Sequence, residues 1–158
     1  MKALTPGVET PLLCPSANPG MTESMAFGVV GGTPEQPHLQ HLERPVPVTD
    51  ELLALAGPVT PTEVFRFAAP CACNACPNFS GSRCSLATRI VRLLPVATET
   101  LPPCRIRSRC RWWHEEGKEA CLRCPQVVTD NYRPSDLMRL ASDPATPVPV
   151  EAETVPQT

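Results

Sequence analysis

Eight of the nine cysteines in the chain fall into two groups of four. A thiolate is both a nucleophile and a soft metal ligand, so chemistry is first expected from these residues. Cys71, Cys73, Cys76 and Cys84 form one group, and Cys104, Cys110, Cys121 and Cys124 the other. Each contains one C-x2-C pair, a tight turn that presents two sulfurs from one short segment, with two further cysteines close by. Four thiolates complete a tetrahedral set, so the spacing predicts one or two metal centres between Cys71 and Cys124. The plain alternative is that free cysteines fill a core as small hydrophobes. Their companions Asn74, Asn78, Ser80, Ser82, Arg105 and Arg123 make a poor apolar lining.

The surroundings lean towards iron–sulfur ligation ahead of zinc, without deciding between them. Proline directly follows the second cysteine of both pairs, at Pro77 and Pro125, as it follows the last cysteine of bacterial ferredoxin motifs. The likeness is local, because the C-x2-C-x2-C-x3-C order is absent. No histidine stands at a zinc-finger spacing: His38 and His41 are remote in sequence, and His114 lies between Cys110 and Cys121. Trp112 and Trp113 can exclude water from a redox centre. In zinc's favour, all-cysteine sites are common, and paired C-x2-C units build many zinc ribbons.

Arg105, Arg107, Arg109 and Arg111 alternate round Cys110. On a strand they would share a face; on a helix they would scatter. They are candidates for tuning an anionic cluster, for contacting phosphate, or for ion pairs with Glu115, Glu116 and Glu119. His114 and Glu115 are adjacent and point apart on a helix, which makes a poor acid/base pair. Cys14 stands alone without a nearby histidine, and is expected to be an exposed thiol on a flexible arm.

Elements that position these residues must be short. Only seven residues are aromatic, and 21 prolines interrupt the apolar runs, so the core needs a staple. Disulfides would require an oxidising compartment, and Pro6 and Pro11 break the apolar stretch that a signal peptide needs. The expectation is a cytoplasmic chain with no membrane span. Charge is segregated: residues 83–139 carry 11 Lys or Arg against 6 Asp or Glu, while residues 1–82 carry 3 against 7.

Phe27–Val30 reads as a strand, Gly31–Pro37 as a turn and His38–Leu42 as a return strand. Thr49–Gly57 reads as a capped helix, and Thr60-Pro61 starts a second one running to Phe67. Ser85–Leu94 has the clearest helical period. Further helices are expected from Ser108 to Gly117, from Lys118 to Arg123 and after Ser135, with a strand at Val127–Thr129. The whole predicts a small irregular α+β fold whose short helices and minor β element pack round cysteine-ligated metal. Residues 1–21 would be a flexible arm, 22–142 the cysteine-rich metal-binding domain and 143–158 a disordered tail.

The function expected is that of a non-catalytic iron–sulfur protein, carrying electrons or serving a larger redox enzyme as its protein partner. The competing expectation is a zinc-stabilised module that binds a protein or nucleic acid through the arginine-rich segment.

Overall fold

The structure is a computed structural model whose described residues are 11–33, 35–80, 83–131 and 133–147. The strands β1 (Leu13–Ala17), β2 (Met25–Gly32), β3 (Pro37–Pro47) and β4 (Phe65–Pro70) form an antiparallel sheet in the order β1-β4-β2-β3. The fold is therefore a small mixed α+β arrangement, with a larger sheet than the single hairpin expected.

Strand β4 is central, and its first five residues are all buried. Alternation along a strand sends successive side chains to opposite faces. Phe65, Phe67 and Ala69 join one apolar cluster with Ala17, Ala26 and Ala56, whereas Ala68 joins Leu13, Phe27, Leu39 and Ile106 on the other side. The first of these clusters is covered by α1 (Asp50–Ala54) and the stretch that follows it, through Leu52, Leu53 and Ala56. Thr49 caps α1 as its sequence predicts, its side chain accepting from the backbone N–H of Leu52 at 3.1 Å.

The hairpin of β2 and β3 closes at Gly32, whose φ of +74° suits glycine; a Cβ there would stand 2.5 Å from the Gln36 carbonyl oxygen. A register shift between Ala26 and Gly28 interrupts the pairing of β2 with both neighbours, and it accompanies the switch from Ala26 on one face to Phe27 on the other.

Three expectations are corrected. The helix from Thr60 ends at once: α2 is Pro61–Val64, and Phe65 to Phe67 belong to β4. Burial on both faces outweighs the capping signal. Val127–Thr129 is not a strand; Cys124–Gln126 form a 3-10 turn and an irregular segment follows. The arm drawn to residue 21 contains β1, which pairs Leu13 with Pro70 and Cys14 with Ala69. Residues 1–10 of that arm, and the expected tail from 148 onwards, lie outside the described residues.

A second region carries the cysteines. After a 3-10 turn at Cys73–Ala75, the two-residue strands β5 (Phe79–Ser80) and β6 (Arg83–Cys84) lead into α3 (Ser85–Leu93). Then come α4 (Arg111–Glu116), α5 (Lys118–Arg123) and α6 (Asp136–Ser142), the last capped by Ser135. Their core unites Cys84, Ala87, Ile90, Cys110, Trp112 and Ala141. Gly117, with φ of +67°, lets the chain turn from α4 into α5.

Arg66 joins the sheet to this region. It is 0% exposed and uses all five guanidinium hydrogens. Nε and Nη2 donate to the Pro15 carbonyl at 3.0 and 2.8 Å, and Nη1 to the carbonyls of Cys124 and Val127, both at 2.9 Å. Nη2 also donates to Cys124 Sγ at 3.1 Å. The guanidinium packs against Phe27 and Trp112, with its central carbon 5.3 and 5.8 Å from their ring centres. Arg66→Met keeps comparable bulk but strips these donors from one buried and two part-buried carbonyls. It should lower stability by about 3–5 kcal/mol in urea unfolding, and a loss below about 1 kcal/mol would contradict this role.

Candidate metal centre

Cys104, Cys110, Cys121 and Cys124 come together in the wall of one cavity. Cys110 occupies the N-cap position of α4, Cys121 lies on α5, and Cys124 ends that helix. Pro102, Ile106 and Trp112 supply apolar wall, and Pro15 and Phe27 close the cavity from the sheet. The space open to the centre of a water molecule is about 20 Å³, against the ~10–15 Å³ that a single water requires. The sulfurs surround this void rather than meet at a point: among the described residues, no three His, Cys, Asp or Glu side chains are grouped so that they could hold a metal ion.

Burial pushes the Cys110 thiol up to about 12, and it raises Cys104 and Cys121 as well. Opposing this, backbone N–H groups of Ile106 favour the Cys104 thiolate, and those of Trp113 and Trp112 the Cys110 thiolate. The Arg107 side chain does the same for Cys121, and Arg66 donates to Cys124. Every sulfur round the cavity therefore has an N–H donor. Hydrogen bonds of this kind stabilise a charged sulfur and are among the features that set cluster potentials.

The first cysteine group is arranged differently. Cys71 leaves the end of β4 and is anchored through its N–H to the Leu12 carbonyl at 2.8 Å. The backbone N–H of Cys73 donates to Cys71 Sγ at 3.3 Å, and that of Asn78 to Cys76 Sγ at 3.4 Å. Cys84 is buried at the start of α3, with its N–H donating to Glu115 Oε1 at 2.8 Å. Burial raises its pKa, while backbone N–H groups of Ala87 and Leu86 lower it.

The expectation that Cys14 is exposed on an arm is corrected. It is half-buried on β1, its thiol is pushed up to about 12 by burial, and the neighbouring charges that raise it further are those of Cys84, Cys71 and Cys76.

The four arginines do not share a face, because Arg107–Arg109 form a 3-10 turn and Arg111 begins α4. Arg105 donates to the Glu43 carbonyl and Arg109 to that of Pro11. Arg107 turns towards the second cysteine group: it lines the cavity and stacks over Trp113 at 5.6 Å. Arg111 turns towards the first, pairing with Glu115 at 2.8 Å and reaching Cys73 Sγ at 3.7 Å. Trp112 is buried between the groups, against the cavity on one side and favouring the Cys84 thiolate on the other. Trp113 is only half-buried and does not line the cavity.

Three residues escaped sequence reasoning. Arg66 sits in the apolar run from Val64 to Ala69, where it reads like a surface charge interrupting a strand. Arg89 has the same character: it is 1% exposed on α3, donating to the Ala141 carbonyl at 2.8 Å and to Asn78 Oδ1, with Cys84 and Cys76 nearby. His41 is brought to the cavity wall by the hairpin, a placement that sequence spacing cannot reveal. Burial, then Arg66 and Arg107, hold its pKa down at about 4, so it is neutral at pH 7.

A larger cavity, of about 260 Å³, lies elsewhere, between α3, α6 and the segment 126–131. Its lining mixes Leu86, Ile90 and Met138 with Glu63, Asp130 and Asn131, without a recognisable constellation.

The thiol shifts have a signed consequence. In the metal-free, reduced chain, Cys14 and Cys110 keep protons that the unfolded chain releases above its ordinary value of 9.0. Their contribution to stability is complete below pH 9 and is lost as the pH rises towards 12. Urea midpoints of the metal-free protein should therefore fall steadily from pH 9 to 11, and a flat profile would contradict the burial of these thiols. No family model matches the chain, and neither a curated protein nor a solved structure matches it.

Proposed function

We propose that the chain is a cysteine-ligated metalloprotein, with a centre held by Cys104, Cys110, Cys121 and Cys124 and a second one in the neighbouring cysteine group. The observation that carries this reading is the single cavity walled by those four cysteines, with the guanidinium of Arg66 buried against Cys124. A buried cation calls for a counter-charge. Among the described residues no carboxylate lies within ion-pairing distance of Arg66, and thiolates fixed by a metal would supply the negative charge that is otherwise missing.

The donors beside the cysteines favour one identity for the group. Arg107 Nε and Arg111 Nε are buried without a hydrogen-bond partner. Both are donors, and they lie beside the two cysteine groups. An iron–sulfur cluster brings bridging sulfides as additional acceptors, whereas a zinc ion adds none to its four thiolates. Iron–sulfur ligation is accordingly preferred, and electron transfer, alone or in the service of a larger redox enzyme, is the function proposed. Bound there, the cluster would supply a one-electron couple. The chain's own residues would exclude water through Trp112, Phe27 and Pro15, and offset negative charge through Arg66 and Arg107.

The test is anaerobic purification of the full chain followed by iron, sulfide and zinc analysis. Iron and sulfide in matching amounts, with broad absorbance near ~400 nm as for thiolate-ligated clusters, are expected. Cys121→Ser or Cys124→Ser should each remove about half of the metal if two centres are filled. Stoichiometric zinc without iron would move the protein to the zinc-stabilised binding module, and a metal-free protein with full stability would defeat both readings.

A further inference from the structure

The cysteines of the first group are not presented alike. Cys73 and Cys76 form the C-x2-C pair, yet the chain presents them differently. Cys73 has a φ of +52°, a left-handed conformation unusual for a residue with a side chain. That turn directs its backbone N–H to Cys71 Sγ at 3.3 Å, while its own sulfur stands 3.7 Å from the Arg111 guanidinium. Cys73 thus donates to Cys71 through its backbone, and its own thiol lies against both Cys71 and Arg111.

Cys14 is placed from the opposite direction. Along β1, Leu13 is buried with Phe27 and Ile106, which line the cavity of the second cysteine group. Cys14, the next residue, is half-buried, and alternation directs it to the opposite face. Its partner across the sheet is Ala69, two residues before Cys71, and the bond from Cys71 N–H to the Leu12 carbonyl holds the two strands together at that end.

We propose that the first metal centre is ligated by Cys14, Cys71, Cys76 and Cys84, with Cys73 outside it as a free thiol whose backbone supports Cys71. The inference rests on the metal reading above and changes one ligand in it. A pattern of donors supports the exchange. Each of the four sulfurs has the backbone N–H of the residue two positions on as a favourable partner: Ser16 for Cys14, Cys73 for Cys71, Asn78 for Cys76 and Leu86 for Cys84. Cys104 with Ile106 and Cys110 with Trp112 repeat it in the second group. Cys73 has no backbone donor among the influences on its thiol and takes the Arg111 side chain instead, as Cys121 takes Arg107 and Cys124 takes Arg66. On ligation each of the four thiols gives up its proton to solvent and forms one sulfur–metal bond.

The arrangement also assigns β1 a role. It becomes an element clamped by metal against the loop that follows β4, which no reading of residues 71–84 alone would supply.

The experiment compares full-length wild type with Cys14→Ser and Cys73→Ser, all purified anaerobically, by metal content per chain. Cys14→Ser should lose about half of the metal while Cys73→Ser retains it all. The reverse pattern, or a loss of half in both variants, overturns the assignment. Because Cys14→Ser can fail through misfolding, the metal-loaded wild type is also alkylated under native conditions and mapped by mass spectrometry. Cys73 should be the thiol that reacts. Reaction at Cys14 with Cys73 protected, or protection of both, rejects the proposal. A wild type without metal defeats the metal reading itself, whereas a loaded wild type with an unaltered Cys14→Ser variant defeats only this ligand set.

Discussion

The guanidinium of Arg66 is the point on which the two parts of the molecule depend. It projects from the central strand of the sheet, is wholly buried, and holds Pro15 of β1 with two bonds and the segment after α5 with three. Neutral carbonyls satisfy its hydrogens without cancelling its charge. In a low-dielectric interior such a charge is tolerated when an opposite charge stands close. The nearest candidate is Cys124 Sγ, at 3.1 Å. A neutral thiol there leaves the cation uncompensated; a thiolate kept ionised by a metal compensates it.

The same pattern recurs at the first cysteine group, where Arg89 is buried on α3 with Cys76 and Cys84 as neighbours. Each group thus has one fully buried arginine behind it and one partly exposed arginine beside it, Arg107 or Arg111. Trp112 stands between the two, in a core shared by Cys84 and Cys110. The two groups consequently belong to one packed unit rather than to separate knuckles on a linker. The isolated bridge between Leu13 and Cys110 ties that unit to the edge strand that carries Cys14.

Much of the local structure was legible in the sequence, for reasons that can be named. The cap at Thr49, the period of Ser85–Leu94, the glycine ending α4 at Gly117 and the cap at Ser135 are local signals, and each helix formed where its signal stood. Strands β1 and β4 were not legible. Phe65-Arg-Phe-Ala-Ala has no polar alternation because both faces are buried, and its arginine looks like a surface residue until its carbonyl partners, 51 to 61 positions away, are known. Leu13-Cys-Pro-Ser-Ala owes its conformation to pairing with β4. That Cys104, Cys110, Cys121 and Cys124 fall within one short stretch is visible in the sequence, and all four line one cavity. The place of Cys14 was not legible, since no spacing rule relates it to cysteines more than 50 residues on.

The central claim is that cysteine sulfur alone surrounds a resident metal. X-ray absorption at the edge of the metal found in the anaerobically purified full chain tests it most directly. The account predicts a first shell made only of sulfur, about four scatterers at roughly 2.3 Å, with a further iron shell if the group is a cluster. A first shell of nitrogen or oxygen, or one completed by water, would contradict it.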